Sequence, residues 1–242
     1  MNATGHLPTG KSGLLRRILP AVGLLVVLAF LGARGFSAVE SYDFWWHLKT
    51  GEWITQEGTL PTVDPYSFTA PDRPWIDHSW LFQVMIHQLY RAGGLPALAG
   101  LRIILLLVTV GCIGIYLKRE SVPDGIAGLL LIVCLWGACF RLTIRPDLVS
   151  VCFTAVFLFL LLGYRRSRKP ILLWVIAGLI PLWANLHVGA LLVPLILAPF
   201  AGEPFLSPHP VGAGTRADGN PLWDRWRPAI PLMALWGWSF VG

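Results

Sequence analysis

The residues best placed to do chemistry lie in four short clusters. Asp43 sits in the run Tyr42-Asp43-Phe44-Trp45-Trp46-His47. Aromatic neighbours withdraw water from a carboxylate, and desolvation raises its pKa towards that of a usable general base. Arg141 and Arg145 lie four apart before an apolar run, and charges at a membrane rim are costly enough to be functional candidates by default. Asp77-His78 and Asn185-Leu186-His187 add polar groups able to line a substrate cavity. Each has a plainer reading too: Asp77 as a helix N-cap, the arginines as side chains snorkelling to lipid phosphates, Asn185 and His187 as a turn between short helices. A divalent metal held by His78 with Asp43 or Asp64 is chemically reasonable, but no ligand spacing demands one. No metal ligands are therefore assigned.

The elements that must position these groups are set by composition. Of 242 residues, 55% are apolar and 13% charged, about half the charge a soluble domain carries. Mean hydropathy is +0.63, and several apolar runs approach the roughly 20 residues that cross a bilayer. The expected class is an all-α polytopic membrane protein. The net charge of +6 sits mainly in short connectors, where it sets topology, so no nucleic-acid partner is expected. Cys112, Cys134, Cys139 and Cys152 fall inside apolar segments without ligand spacing and read as small hydrophobes. Gly10-Lys11-Ser12 lacks the strand and acidic partner that a nucleotide loop needs.

The pattern predicts about seven transmembrane helices: 18–33, 95–117, 125–140, 148–164, 171–184, 188–200, and one beginning at 228–242. The first also has the outline of a signal peptide, but Ala33-Arg34-Gly35 is a poor cleavage site. Residues 1–13 form a cytoplasmic tail, 14–200 a membrane core that includes a long outer loop at 38–92, and 201–227 a cytoplasmic Pro/Gly-rich loop. On this alternation, 12 of the 19 basic residues fall on the side of the N-terminus, which makes that side cytoplasmic. The run Arg165–Lys169 reads as a topology determinant. The protein is expected in the cell inner (plasma) membrane, multi-pass, with membrane lipids around it.

The outer loop is too long and too rich in tryptophan for a connector. Tyr42–Thr55 reads as an amphipathic helix along the interface, with Phe44, His47, Leu48 and Gly51 on one face. Gly58 to Pro61 ends it, and Asp64-Pro65-Tyr66-Ser67 is a turn. A further helix starts near Asp77 and runs to about Arg91.

Four stretches of this loop carry a resemblance: Tyr42–Leu48, Thr50-Gly51-Glu52-Trp53-Ile54, Leu60-Pro61-x-x-Asp64-Pro65-Tyr66-Ser67-Phe68-Thr69, and Trp75-Ile76-Asp77-His78-x-Trp80-Leu81. With Arg145-Pro146-Asp147-Leu148 and Trp183-Ala184-Asn185-Leu186-His187-x-Gly189, they resemble the bacterial C-type glycosyltransferase superfamily, relatives of protein O-mannosyltransferases. The resemblance covers roughly residues 14–200. It implies transfer of a sugar from a polyprenyl-phosphate-linked donor to an acceptor at the outer face, with Asp43 in the position of the family's catalytic aspartate. The loop start holds a single Asp43 and no tandem Asp-Glu or Asp-x-Asp, so a metal requirement does not follow. Members of the superfamily have more spans than this chain, which therefore reads as an N-terminal fragment or a truncated product.

Two other functions stay open at this point. One is a transporter or flippase-like protein with its site at Asn185 and His187. The other is a non-catalytic membrane component.

Overall fold

A computed structural model describes residues 23, 25–30, 32, 33, 42–69, 73–139 and 142–206. The tail 1–13, Arg141, the loop from 207 and the segment 228–242 lie outside the described residues, as does much of the first apolar run. Among the described residues the named elements follow in order: α1 (Tyr42–Glu57), α2 (Trp80–Arg119), α3 (Asp124–Gly137), α4 (Pro146–Ser167), α5 (Ile171–Leu186), the 3₁₀ turn Val188–Leu192, and α6 (Val193–Leu206). Residues 23, 25–30, 32 and 33 are helical as well. Among the described residues the fold has no strand, only an isolated bridge between Val63 and Pro74.

Local signals explain most boundaries. Gly58 adopts φ 69°, a left-handed conformation open to glycine, and its amide closes α1 onto the Ile54 carbonyl at 3.0 Å. Pro123 stands just before α3, and Pro146 opens α4, where a missing N–H costs no hydrogen bond. His187 is extended (φ −164°, ψ 141°) and separates α5 from the 3₁₀ turn, as the sequence pattern anticipates.

The predicted outer helix and second span are both present within α2, separated by a kink where Gly93 and Gly94 leave helical geometry. Gly94 takes φ 61° and ψ −150°, a conformation reserved for glycine, and Pro96 follows two residues on. Asp77 is not the cap of this helix. Ser79 holds that position, and Asp77 lies two residues earlier with its Oδ1 accepting the Ser79 amide at 3.0 Å. The anticipated turn at Asp64 is present: Asp64 Oδ1 accepts the amides of Tyr66 at 2.8 Å and Ser67 at 3.1 Å.

α2 and α4 are long and apolar enough to cross a membrane, while α3, α5 and the segment Val188–Ala201 are shorter apolar helices. Large apolar side chains stand exposed along these elements, Trp136 and Trp174 at over 70%. Exposed apolar side chains of this kind suit surfaces that lie against other apolar material. Three clusters hold the helices together. Phe157, Leu161, Ile176 and Ile180 surround Trp183 between α4, α5 and α6. Phe44, Phe82, Ile86, Leu98 and Leu186 join α1 to α2 and the end of α5. Val27, Leu106, Leu135, Leu142 and Leu148 form the third. Phe44 and Gly51, expected on one face of an interfacial helix, share the side of α1 that packs on α2. A Cβ at Gly51 would overlap the Gln83 carbonyl oxygen, so only glycine lets α1 seat this closely on α2.

Candidate functional site

At the end of the bundle where α1, the start of α2, the start of α4 and the end of α5 meet, a cleft of about 360 Å³ opens. Residues far apart in sequence line it: Asp43 and His47 from α1, Asp77 and His78 from the segment before α2, Arg145 and Asp147 around the start of α4, and His187 from the helix break. Five of the seven residues singled out in the sequence therefore share one cleft. Arg141 lies outside the described residues. Asn185 does not line the cleft; its Oδ1 accepts the Trp80 indole N–H at 2.8 Å and its amide caps the Pro181 carbonyl. It pins the start of α2 to the end of α5.

Asp43 and Arg145 form an ion pair at the rim. The desolvation expected of Asp43 is not found, because its side chain is 55% exposed. Phe44 is fully buried, whereas Trp45 and Trp46 are about half exposed. Consecutive helical residues point in directions about 100° apart, so a flanking aromatic need not cover a carboxylate. Arg145 is held in place by the bend ahead of α4, where it takes an extended conformation and precedes Pro146.

Deeper in, two imidazoles are fixed by polar networks. The Trp183 indole donates to Ser150 Oγ at 2.9 Å, and Ser150 Oγ lies 2.6 Å from His187 Nδ1. The Gly189 amide also points at Nδ1, at 3.2 Å. Backbone N–H groups only donate, so Nδ1 is an acceptor and the hydroxyl proton of Ser150 goes to it. The neutral ring thus carries its proton on Nε2, 3.3 Å from Asp147 Oδ1. Burial pushes the His187 pKa below its ordinary 6.5, partly opposed by the Asp147 carboxylate and reinforced by His47.

His47 follows the same logic. The Gln83 amide nitrogen donates to Asp77 Oδ1 at 3.0 Å and sits 3.2 Å from His47 Nδ1. Nδ1 is again the acceptor, and Nε2 carries the proton. Burial lowers the His47 pKa despite the pull of Asp77 and Asp147. Around this layer Asp77 Oδ2, Gln83 Oε1 and Trp75 Nε1 are sealed from solvent without a hydrogen-bond partner. Each such atom costs about 1–3 kcal/mol, and polar groups left in that state gather where function outranks stability.

Sequence reasoning placed His47 on a helix face without a chemical role, passed over Gln83 and Ser150, and gave Asp147 no role. Asp147 and Ser150 stand three apart in α4 and share a helix face, as do Trp183 and His187 four apart. That spacing is the signal that was there to read. Ser150, His187 and Asp147 have the composition of a hydrolytic triad, but Ser150 is buried and already accepts the Trp183 indole. It positions the imidazole and is no nucleophile.

No family model, curated protein or solved structure matches the chain. The site's chemistry rests on its own geometry. Among the described residues no group of three His, Cys, Asp or Glu side chains is arranged to hold a metal ion. Asp64 is committed to its turn, where hydrogen bonds from Ser67 and Tyr66 hold its carboxyl below the usual range. A larger hollow of about 590 Å³ lies between α1 and α2 beside the Lys49–Glu52 ion pair and contains none of the predicted site residues.

Proposed function

We propose that the chain is an integral-membrane glycosyltransferase of the C-type group, using a polyprenyl-phosphate-linked sugar at the outer face of the membrane. The seven-span topology, the cytoplasmic N-terminus and a place in the inner membrane belong to this reading. The observation that carries it is the pairing of Asp43 with Arg145, a carboxylate and a guanidinium side by side at the mouth of one cleft. The lipid phosphate draws Arg145 away from Asp43, and the freed carboxylate takes the proton of the acceptor hydroxyl as it attacks the anomeric carbon. The sugar–phosphate bond breaks and the electron pair leaves with the phosphate. His47 and His187, each with its proton on Nε2, supply donors for the sugar or for the departing oxygen.

Charge sets a further requirement. Asp43, Asp77 and Asp147 face one guanidinium, which leaves the cleft net negative while both imidazoles are neutral. A phosphate needs a second cation, and the reading assigns that part to Arg141, four residues before Arg145.

The test is transfer from a radiolabelled polyprenyl-phosphate sugar by membranes carrying the wild type or Asp43→Asn. The variant is expected to lose at least about a hundredfold in rate, the range of a general base. Undiminished transfer would remove Asp43 from the chemistry. Failure of the wild type on every donor offered, with substrate-dependent accessibility around Asn185 and His187, would favour the transporter reading instead.

A further inference from the structure

The opposite ends of α2 and α4 enclose another cleft, of about 520 Å³. α4 has 22 residues and is therefore about 33 Å long, so this cleft lies roughly the thickness of a bilayer core from Arg145. Its rim is cationic, with Arg119 from the last turn of α2, Arg166 from the last turn of α4, and Lys169 from the connector to α5. Its floor is apolar, made by Phe159, Leu160 and Leu172.

A helix C-terminus favours one nearby cation through its dipole. That alone would let the side chains fan into solvent, and here three turn to a single hollow. The Arg119 guanidinium lies 4.9 Å above the Phe159 ring, which fixes it over the floor. Arg166 reaches the Arg119 carbonyl with both terminal nitrogens at 3.3 Å and Glu120 at 3.4 Å. These contacts are long, and half of the side chain is exposed, so the fork has room for a stronger acceptor. Glu120 offsets one of the three charges. Arg168, in a left-handed conformation at φ 55°, ends α4 and packs towards Tyr164, while Lys169 reaches the rim.

We propose that this cleft binds the headgroup of an anionic phospholipid, its phosphate between Arg119, Arg166 and Lys169 and an acyl chain along Phe159, Leu160 and Leu172. The apolar floor decides for a lipid over a free phosphate, which would leave that floor uncovered. The proposal rests on α2 and α4 crossing the membrane and not on sugar transfer.

The test is native mass spectrometry of the full chain released from nanodiscs holding equal amounts of phosphatidylglycerol and phosphatidylcholine. The wild type is expected to retain phosphatidylglycerol preferentially. Arg119→Gln, Arg166→Gln and Lys169→Gln should each weaken that preference by about fivefold, the effect of one basic residue at an anionic surface. Equal retention of the two lipids by the wild type, or an unchanged preference in the triple variant, overturns the proposal. Should the triple variant not fold, added salt on the wild type decides: loss of the preference supports the site, and persistence refutes it. Displacement by inorganic phosphate as effective as by dihexanoyl phosphatidylglycerol would refute the lipid assignment. A chain that dissolves without detergent would instead refute the membrane spans on which the proposal rests.

Discussion

Ser150 Oγ stands 2.6 Å from His187 Nδ1 while accepting the Trp183 indole, so a residue in the first turns of α4 joins the Gly189 amide in holding the imidazole that follows α5. Ser150→Ala removes the hydroxyl donor to Nδ1 and leaves the buried Trp183 N–H without a partner. A loss of about 1–3 kcal/mol in unfolding stability is expected. ¹⁵N NMR of the His187 ring should still show the Nε2–H tautomer, which the Gly189 amide and Asp147 favour, with the Nδ1 resonance shifted by loss of the hydroxyl donor. An unshifted Nδ1 resonance would mean that Ser150 does not bond the ring.

Stability should fall on acidification. His47 and His187 both have pKa values lowered by burial from the ordinary 6.5. The unfolded chain takes up these protons first, so stability is complete above about pH 6.5 and declines as the pH drops towards the folded-state values. Thermal melting in detergent from neutral to mildly acid pH measures this, and His187→Gln should flatten part of the slope. A melting temperature that rises as the pH falls would contradict the buried neutral imidazoles.

Asp43→Asn should leave the fold almost untouched. Its ion pair with Arg145 is solvent-exposed, and pairs of that kind contribute about 0–1 kcal/mol. Melting within that margin, together with the loss of transfer described above, separates chemistry from folding. A large drop in melting temperature would make the pair structural.

Gly51→Ala is expected to destabilise by about 1–3 kcal/mol, because the new methyl group meets backbone at Gln83 that cannot turn aside. Gly100→Ala in α2 meets nothing within 4 Å and should be neutral or mildly stabilising. Parallel melting curves of the two variants check the close seating of α1. Equal behaviour would argue against it.

Trp80→Phe removes the hydrogen bond to Asn185 and should cost about 1 kcal/mol. It should also speed deuterium exchange at the start of α2 and around the His187 break together. Faster exchange at only one of the two would show that they move independently.

What the sequence disclosed was local. The glycine stop of α1, the proline starts of α3 and α4 and the break at His187 are written in single residues with fixed backbone preferences. The convergence of Asp43, Asp77, His78, Arg145 and His187 was foreseen only as a set of candidates. Asp43 and Arg145 lie 102 positions apart, and Trp80 and Asn185 lie 105 apart. Which helix faces meet depends on packing summed over Phe44, Phe82, Ile86 and Leu186, and no periodicity encodes that choice. The folded-back strip in which Asp64 N bonds Arg73 O and Trp75 N bonds Thr62 O was missed for the same reason, since its flanks show no strand alternation. Asp77 was misplaced as a cap because an aspartate two residues early makes the same amide contact as one at the cap itself.

The interruption at Gly93 and Gly94 has a mechanical consequence. A continuous 40-residue rod would transmit every tilt of its lower part to Trp80, Gln83 and the cleft they help to build. Two residues outside the helical hydrogen-bond ladder make a compliant joint instead. Leu98, below that joint, still packs with Phe44, Phe82 and Ile86 above it, so the two parts of α2 differ in direction while sharing one apolar cluster beneath the cleft.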